Sequence, residues 1–153
     1  MSSDGYDEDQ LCLIWLSATK GVGPTSVRKL LAGARASGRT LAEVLRCPPE
    51  VLEREFGIPV AVAFALRSCG TPVTGGAAVV ESLASFGGQV VFEGARDYPQ
   101  RLTRLLGETA PPVLFVLGDP AVLGVMCVAI VGSRAPTKTA VVAAGSFAAR
   151  LAS

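Results

Sequence analysis

The segment V-A-I-V-G-S-R-A-P-T-K-T-A, Val128 to Ala140, decides how the chain is read. Val128 to Val131 is a short apolar, mostly β-branched run, the pattern of a strand covered on both faces. Gly132 breaks the run, and helical spacing resumes after Thr137. The whole reads as strand, loop, helix. Such a turn gathers phosphate-binding groups. Gly132 lets the backbone come close, Ser133 and Thr137 offer hydroxyls, Arg134 offers a guanidinium and the next helix offers its N-terminus. Lys138 adds a second cation beside them. No G-K-[ST] follows, so this is not a Walker loop, and the G-x-G-x-x-G of a dinucleotide site is absent. The same residues also suit an ordinary strand-to-helix turn, and the spacing alone leaves both open.

Upstream of this segment the alternation of helix and strand continues. A-A-V-V-E-S-L-A-S-F-G is helical and ends at Gly87-Gly88. Strands are expected at 89–93, 113–117 and 127–131, the last two buried on both faces, with a Pro-started helical turn at Y-P-Q-R-L-T-R-L-L-G-E. The closing helix should place Val141, Ala144, Ala148 and Leu151 on one face. Tyr98 and Phe115 are of the type that stacks on bases, but core packing accounts for both. Before residue 70 the pattern is helical throughout. Leu11, Ile14, Trp15 and Ala18 share a face; Thr25 is a candidate N-cap with Val27, Leu30 and Leu31 inward; Thr40 and Glu43 make a T-x-x-E capping box. C-G-T-P-V-T-G-G, Cys69 to Gly76, combines turn-forming residues and marks the expected boundary. The expected domains are therefore a helical one over 1–70 and an α/β one over 71–153.

Between the first two helices stands K-G-V-G-P, the G-x-G turn of helix-hairpin-helix units. Gly21 and Gly23 would let a phosphate approach, with Arg28 and Lys29 one turn on; this is a candidate secondary DNA site. The competing explanation is a plain helix corner that needs glycine for its dihedrals. From Lys20 to Arg46 the basic residues are Lys20, Arg28, Lys29, Arg35, Arg39 and Arg46, against the acid Glu43. The whole chain is nearly neutral at +1, so any attraction for a polyanion has to be local.

Composition excludes several classes. Half the 153 residues are hydrophobic and mean hydropathy is +0.45, which favours a packed globule with some apolar surface awaiting a partner. The apolar stretch 111–132 is broken by Gly118, Asp119, Pro120 and Gly124, short of the ~18 continuous residues of a membrane span. The acidic start, M-S-S-D-G-Y-D-E-D-Q, is unlike a signal peptide, so a cytoplasmic location is expected. Cys12, Cys47, Cys69 and Cys127 form no C-x-x-C pair and the chain has no histidine. A zinc site and His-based nucleophile systems are thus not expected, and the cysteines read as small buried hydrophobes.

The ordered string D-Y-P … L … L … P-P-V-L-F-V-L-G-D … V-A-I-V-G-S-R-x-P-T, from Asp97 to Thr137, resembles the DNA-processing protein A (DprA/Smf) family. The helical half with K-G-V-G-P is similar to that family's SAM-like or helix-hairpin-helix domain. The resemblance implies a Rossmann-like domain, of which residues 71–153 would hold only the first part, the later glycine-rich S-G-x-A-x-G-I-D segment falling beyond Ser153. It implies a non-catalytic protein of natural transformation that binds single-stranded DNA, passes it to the recombinase RecA, forms homodimers, and needs no cofactor, metal or membrane. The family's G-S-R turn carries over as Gly132, Ser133 and Arg134. Thr139-Ala140 depart from the family's usual Tyr-Gly. Two other functions remain open: a Rossmann-like nucleotide-handling enzyme, for which Asp119 is the nearest acid, and a helical DNA- or protein-interaction module over 6–70 with a vestigial tail.

Overall fold

A computed structural model describes residues 5–152. Its organising element is α1 (Glu8–Ala18). Asp7 starts it with a capping box: the Gln10 N–H donates to Asp7 Oδ1 at 2.7 Å, and the Asp7 N–H donates to Gln10 Oε1 at 3.0 Å. Leu11, Cys12, Ile14, Trp15 and Leu16 are all buried, which is more than one stripe of a helix. Helix α1 is therefore covered on two sides. One side meets α2 (Pro24–Ser37), α3 (Leu41–Leu45), α4 (Pro49–Phe56) and α5 (Val60–Ser68) around Leu16, Leu30, Leu41, Leu52, Ile58 and Ala63. The other meets α6 (Pro72–Ser85) and a small sheet through Leu11, Ile14, Val80 and Val113. Helix α3 is capped twice, by its own Thr40–Glu43 box and by Asp9 of α1, whose Oδ1 accepts from the Leu41 and Ala42 N–H groups at 2.8 and 3.3 Å.

The sheet has two strands, β1 (Gly88–Phe92) and β2 (Val113–Leu117), antiparallel in the register Gly88↔Leu117 to Phe92↔Val113. Between them lie α7 (Gln100–Leu106) and a 3₁₀ turn at Gly107–Thr109. Tyr98 is buried beneath this connection and donates its hydroxyl to the Pro111 carbonyl at 2.6 Å. The chain closes with α8 (Lys138–Leu151). The fold is mostly helical with a small sheet, compatible with α/β.

Five expectations are corrected. Residues 127–131 form no strand: the segment is irregular and exposed, because its N–H and C=O groups have no neighbouring edge to pair with. Strand β2 is buried at Val113, but Phe115 and Leu117 stand exposed, so it is not covered on both faces. The first turn of α2 is capped by Gly23 with Pro24 at N1, not by Thr25. Ala18 is exposed, so the inward face of α1 stops short of it. Cysteine also divides: Cys12 is buried, whereas Cys69 and Cys127 are exposed.

The stretch 69–76 is turn only as far as Gly70, whose φ is +86°. Helix α6 begins at Pro72 and runs through Gly75-Gly76, glycines that serve packing instead of a turn. A Cβ on Gly76 would run into the Leu11 carbonyl, and one on Gly75 into the Trp15 indole. Small residues at this crossing let the backbones of α1 and α6 touch. Gly76→Ala should therefore cost about 3 kcal/mol or more, because backbone cannot yield as a side chain does. Gly145→Ala on α8, where a Cβ meets open space, should instead gain about 0.5–1 kcal/mol of local helix stability. Urea denaturation and far-UV circular dichroism measure the two effects; a neutral Gly76→Ala would disprove the close crossing.

The Cys12 thiol is pushed up to about 11 from 9.0, first by burial, then by Asp9 and Glu8. Burial, then Glu93, raises the Tyr98 hydroxyl. Between pH 9 and 11 the unfolded chain has lost the Cys12 proton while the folded chain keeps it. Stability should fall as pH rises through that window, by about 2 kcal/mol in all, with Tyr98 adding in the same direction above pH 10. Urea midpoints at pH 8 and 10.5 test this, and Cys12→Ala should flatten the dependence; identical midpoints at both pH values would refute it.

Candidate nucleic-acid interface

The turn after Val131 is built by short-range polar contacts. Thr137 has an extended backbone and caps α8, its Oγ1 accepting from the Ala140 N–H at 3.3 Å. Its carbonyl accepts from the Val141 N–H at 3.1 Å. Ser133 Oγ accepts from the Ala135 N–H at 3.2 Å. Each hydroxyl thus uses an oxygen lone pair to shape the turn and keeps its own hydrogen to donate. The N–H groups of Lys138 and Thr139, at the start of the helix, have no intrahelical acceptor.

Gly132, Ser133 and Thr137 line one cleft of about 530 Å³, together with Val131, Pro136 and Ala140. Arg134 and Lys138 lie beside this cleft, not in it. Both are exposed, and neither side chain has a hydrogen bond or ion pair among the described residues. The first turn of α8 carries no acid, so Lys138 stands at the positive end of the helix dipole uncompensated. A cation there is unfavourable alone and favourable once an anion arrives. Gly132 has no positive φ, and a Cβ on it would meet nothing within 4 Å. The backbone conformation does not require glycine there, and a side chain would meet open space. Asp119 is occupied elsewhere: its Oδ1 accepts from the Ala121 N–H at 2.9 Å and caps the 3₁₀ turn Pro120–Gly124.

At the second candidate site the structure separates the residues. Gly21 turns the chain with φ +87° and Gly23 caps α2, but Pro24 at N1 removes a donor that a phosphate would use. Arg28 turns inward. Its Nη2 donates to both carboxylate oxygens of Glu93 at 2.9 Å, and its Nε donates to the Ala110 carbonyl at 3.0 Å. Lys29 donates to the Gly57 carbonyl at 3.0 Å. Glu93 also accepts from the Thr103 hydroxyl at 3.2 Å. The sequence carries no signal for this meeting of Arg28, Glu93 and Ala110, since the partners lie far apart in the chain and none belongs to a motif.

Among the described residues no group of His, Cys, Asp or Glu is arranged to hold a metal ion. No described helix is long and apolar enough to cross a membrane. Residues 89–153 match the family of DNA recombination-mediator protein A, so the resemblance to the DprA family holds for that segment. The matched family gives the segment a role in DNA recombination or processing. No curated protein and no solved structure matches the chain.

Proposed function

We propose that the protein binds single-stranded DNA through the turn Gly132 to Lys138, as a binding and not a catalytic protein. One observation carries this reading. Two hydroxyls with free hydrogens, two unpaired cations and an acid-free helix N-terminus meet within seven residues, inside the segment that matches a family of recombination mediators. The chemistry favours phosphate over base recognition. Arginine forks onto phosphate oxygens, the lysine supplies a point charge, and none of these groups selects one base over another. Binding of this kind tolerates sequence, as delivery of arbitrary strands to a recombinase would require. RecA as recipient, natural transformation as the setting, a cytoplasmic location and a homodimer as the working form belong to the same proposal. So do a SAM-like or helix-hairpin-helix character for 1–70, a Rossmann-like character for 71–153, and the absence of a cofactor.

Apolar residues surround the turn. Met126, Val128, Val131, Val142 and Phe147 are all exposed. A surface of this kind supports the homodimer, because clustered apolar groups gain free energy by being covered.

The test is a titration of fluorescent oligo-dT at two salt concentrations. Arg134→Ala should weaken binding about fivefold to tenfold at the lower salt. It should also make the logarithmic salt slope shallower by about 0.7, the share of one phosphate contact on a single strand. Arg54→Ala should leave binding unchanged, because its guanidinium pairs with Glu55 and lies outside the turn. A parent protein that ignores oligo-dT would overturn the proposal. So would an Arg134→Ala protein that binds like the parent.

A further inference from the structure

A second cleft, of about 350 Å³, lies along α2 and is lined by Thr25, Arg28, Lys29, Arg35, Glu93 and Glu108. The four α2 residues fall on one helical face, at steps of three, four and seven. Helix α2 has no acidic residue of its own. The two carboxylates reach the cleft from elsewhere, Glu93 just after β1 and Glu108 from the 3₁₀ turn after α7. Neutralisation of the α2 cations is thus supplied by a different part of the chain.

The contact is the kind a phosphate makes. Arg28 Nη2 lies 2.9 Å from both oxygens of Glu93, while its Nε and Nη2 hold the Ala110 carbonyl at 3.0 and 2.9 Å. The guanidinium is fixed by the carbonyl and meets the carboxylate through Nη2, which leaves Nη1 to join Nη2 in a fork onto an entering oxyanion. The Arg35 side chain has no hydrogen bond or ion pair among the described residues. Lys29 meets a carbonyl, which leaves its charge uncompensated. The side chains of Arg28 and Glu93 are 25% and 27% exposed, so solvent ions reach the pair.

We propose that this cleft is a phosphate-binding site held by the chain's own carboxylates, with Glu93 standing where a phosphate oxygen would sit. A phosphate group, free or carried on a nucleic-acid strand, enters by displacing Glu93 from Arg28 and is then shared by Arg28, Lys29 and Arg35, with the Thr25 hydroxyl as a further donor. The cleft is separate from the Gly132–Lys138 turn and does not depend on the function proposed for it.

The experiment uses the full chain carrying Arg134→Ala and Lys138→Ala, so that the turn contributes nothing. Inorganic tripolyphosphate and oligo-dT are titrated separately, with thermal melting as a check of folding. Adding Glu93→Gln and Glu108→Gln should tighten binding about tenfold, because two like charges leave the site while glutamine keeps an acceptor for Arg28. Further addition of Arg28→Ala and Arg35→Ala should abolish the gain. Tightening for tripolyphosphate alone assigns the cleft to free polyphosphate; tightening for oligo-dT as well assigns it to a strand. Glu108→Gln alone, whose carboxylate makes no hydrogen bond or ion pair among the described residues, should give about threefold and serves if Glu93→Gln lowers the melting temperature. No tightening for either probe, or a gain that survives removal of both arginines, overturns the proposal.

Discussion

The approach of α1 to α6 is the constraint on which the rest depends. Helix α1 is buried on two sides, and its second side is closed by a helix whose glycines sit against the Leu11 carbonyl and the Trp15 ring. With side chains at 75 and 76 the helices would stand apart, and Ile14 would lose its contacts with Val80 and Val113. The sheet is then left without a floor, since a two-stranded hairpin is marginal in water unless one face packs on something. The Trp15 indole N–H meets the Cys69 carbonyl at 3.3 Å, which ties the end of the helical region to the same crossing.

The crossing also explains what the sequence made legible and what it concealed. Local signals were faithful. The Thr40–Glu43 box and the helical stretch before residue 70 rest on neighbours within a few residues. Gly75 and Gly76 misled because glycine has two uses, loose backbone and close approach, which look identical in one dimension. The run 127–131 misled for the opposite reason. Its composition is that of a strand, but a strand exists only as one partner of a pair, and pairing is not a local property. The turn at Gly132 to Lys138 was readable because a helix cap and its flanking cations are sequence-adjacent. The Arg28–Glu93–Ala110 meeting was not, because tertiary packing alone brings those residues together.

The charges obey a division of labour. Several cations on the helical side meet an acceptor, Arg28 at Glu93, Arg46 at Glu8 at 3.1 Å and Lys29 at the Gly57 carbonyl, while the Arg35 side chain has none among the described residues. From Pro120 onward the chain contains no acidic side chain, while the side chains of Arg134 and Lys138 have no partner among the described residues. A nearly neutral protein thereby carries a cationic end. Its net charge understates the positive potential at that end, because screening limits each charge to about 10 Å.

Helix α8 rests on its cap and its alanines, since none of its residues is buried. A helix of 14 residues on those terms alone is marginal in water, so its opening free energy belongs to the local scale and not to that of the core. The chain therefore has two tiers of stability. Amide hydrogens of α8 exchange by local fraying at a rate indifferent to core substitutions, whereas those of α1 wait for global unfolding. A protease meets a substrate between Val125 and Pro136 even while the helical core is intact. Any partner that orders this end must supply the conformational entropy itself, which lowers affinity per contact and speeds release.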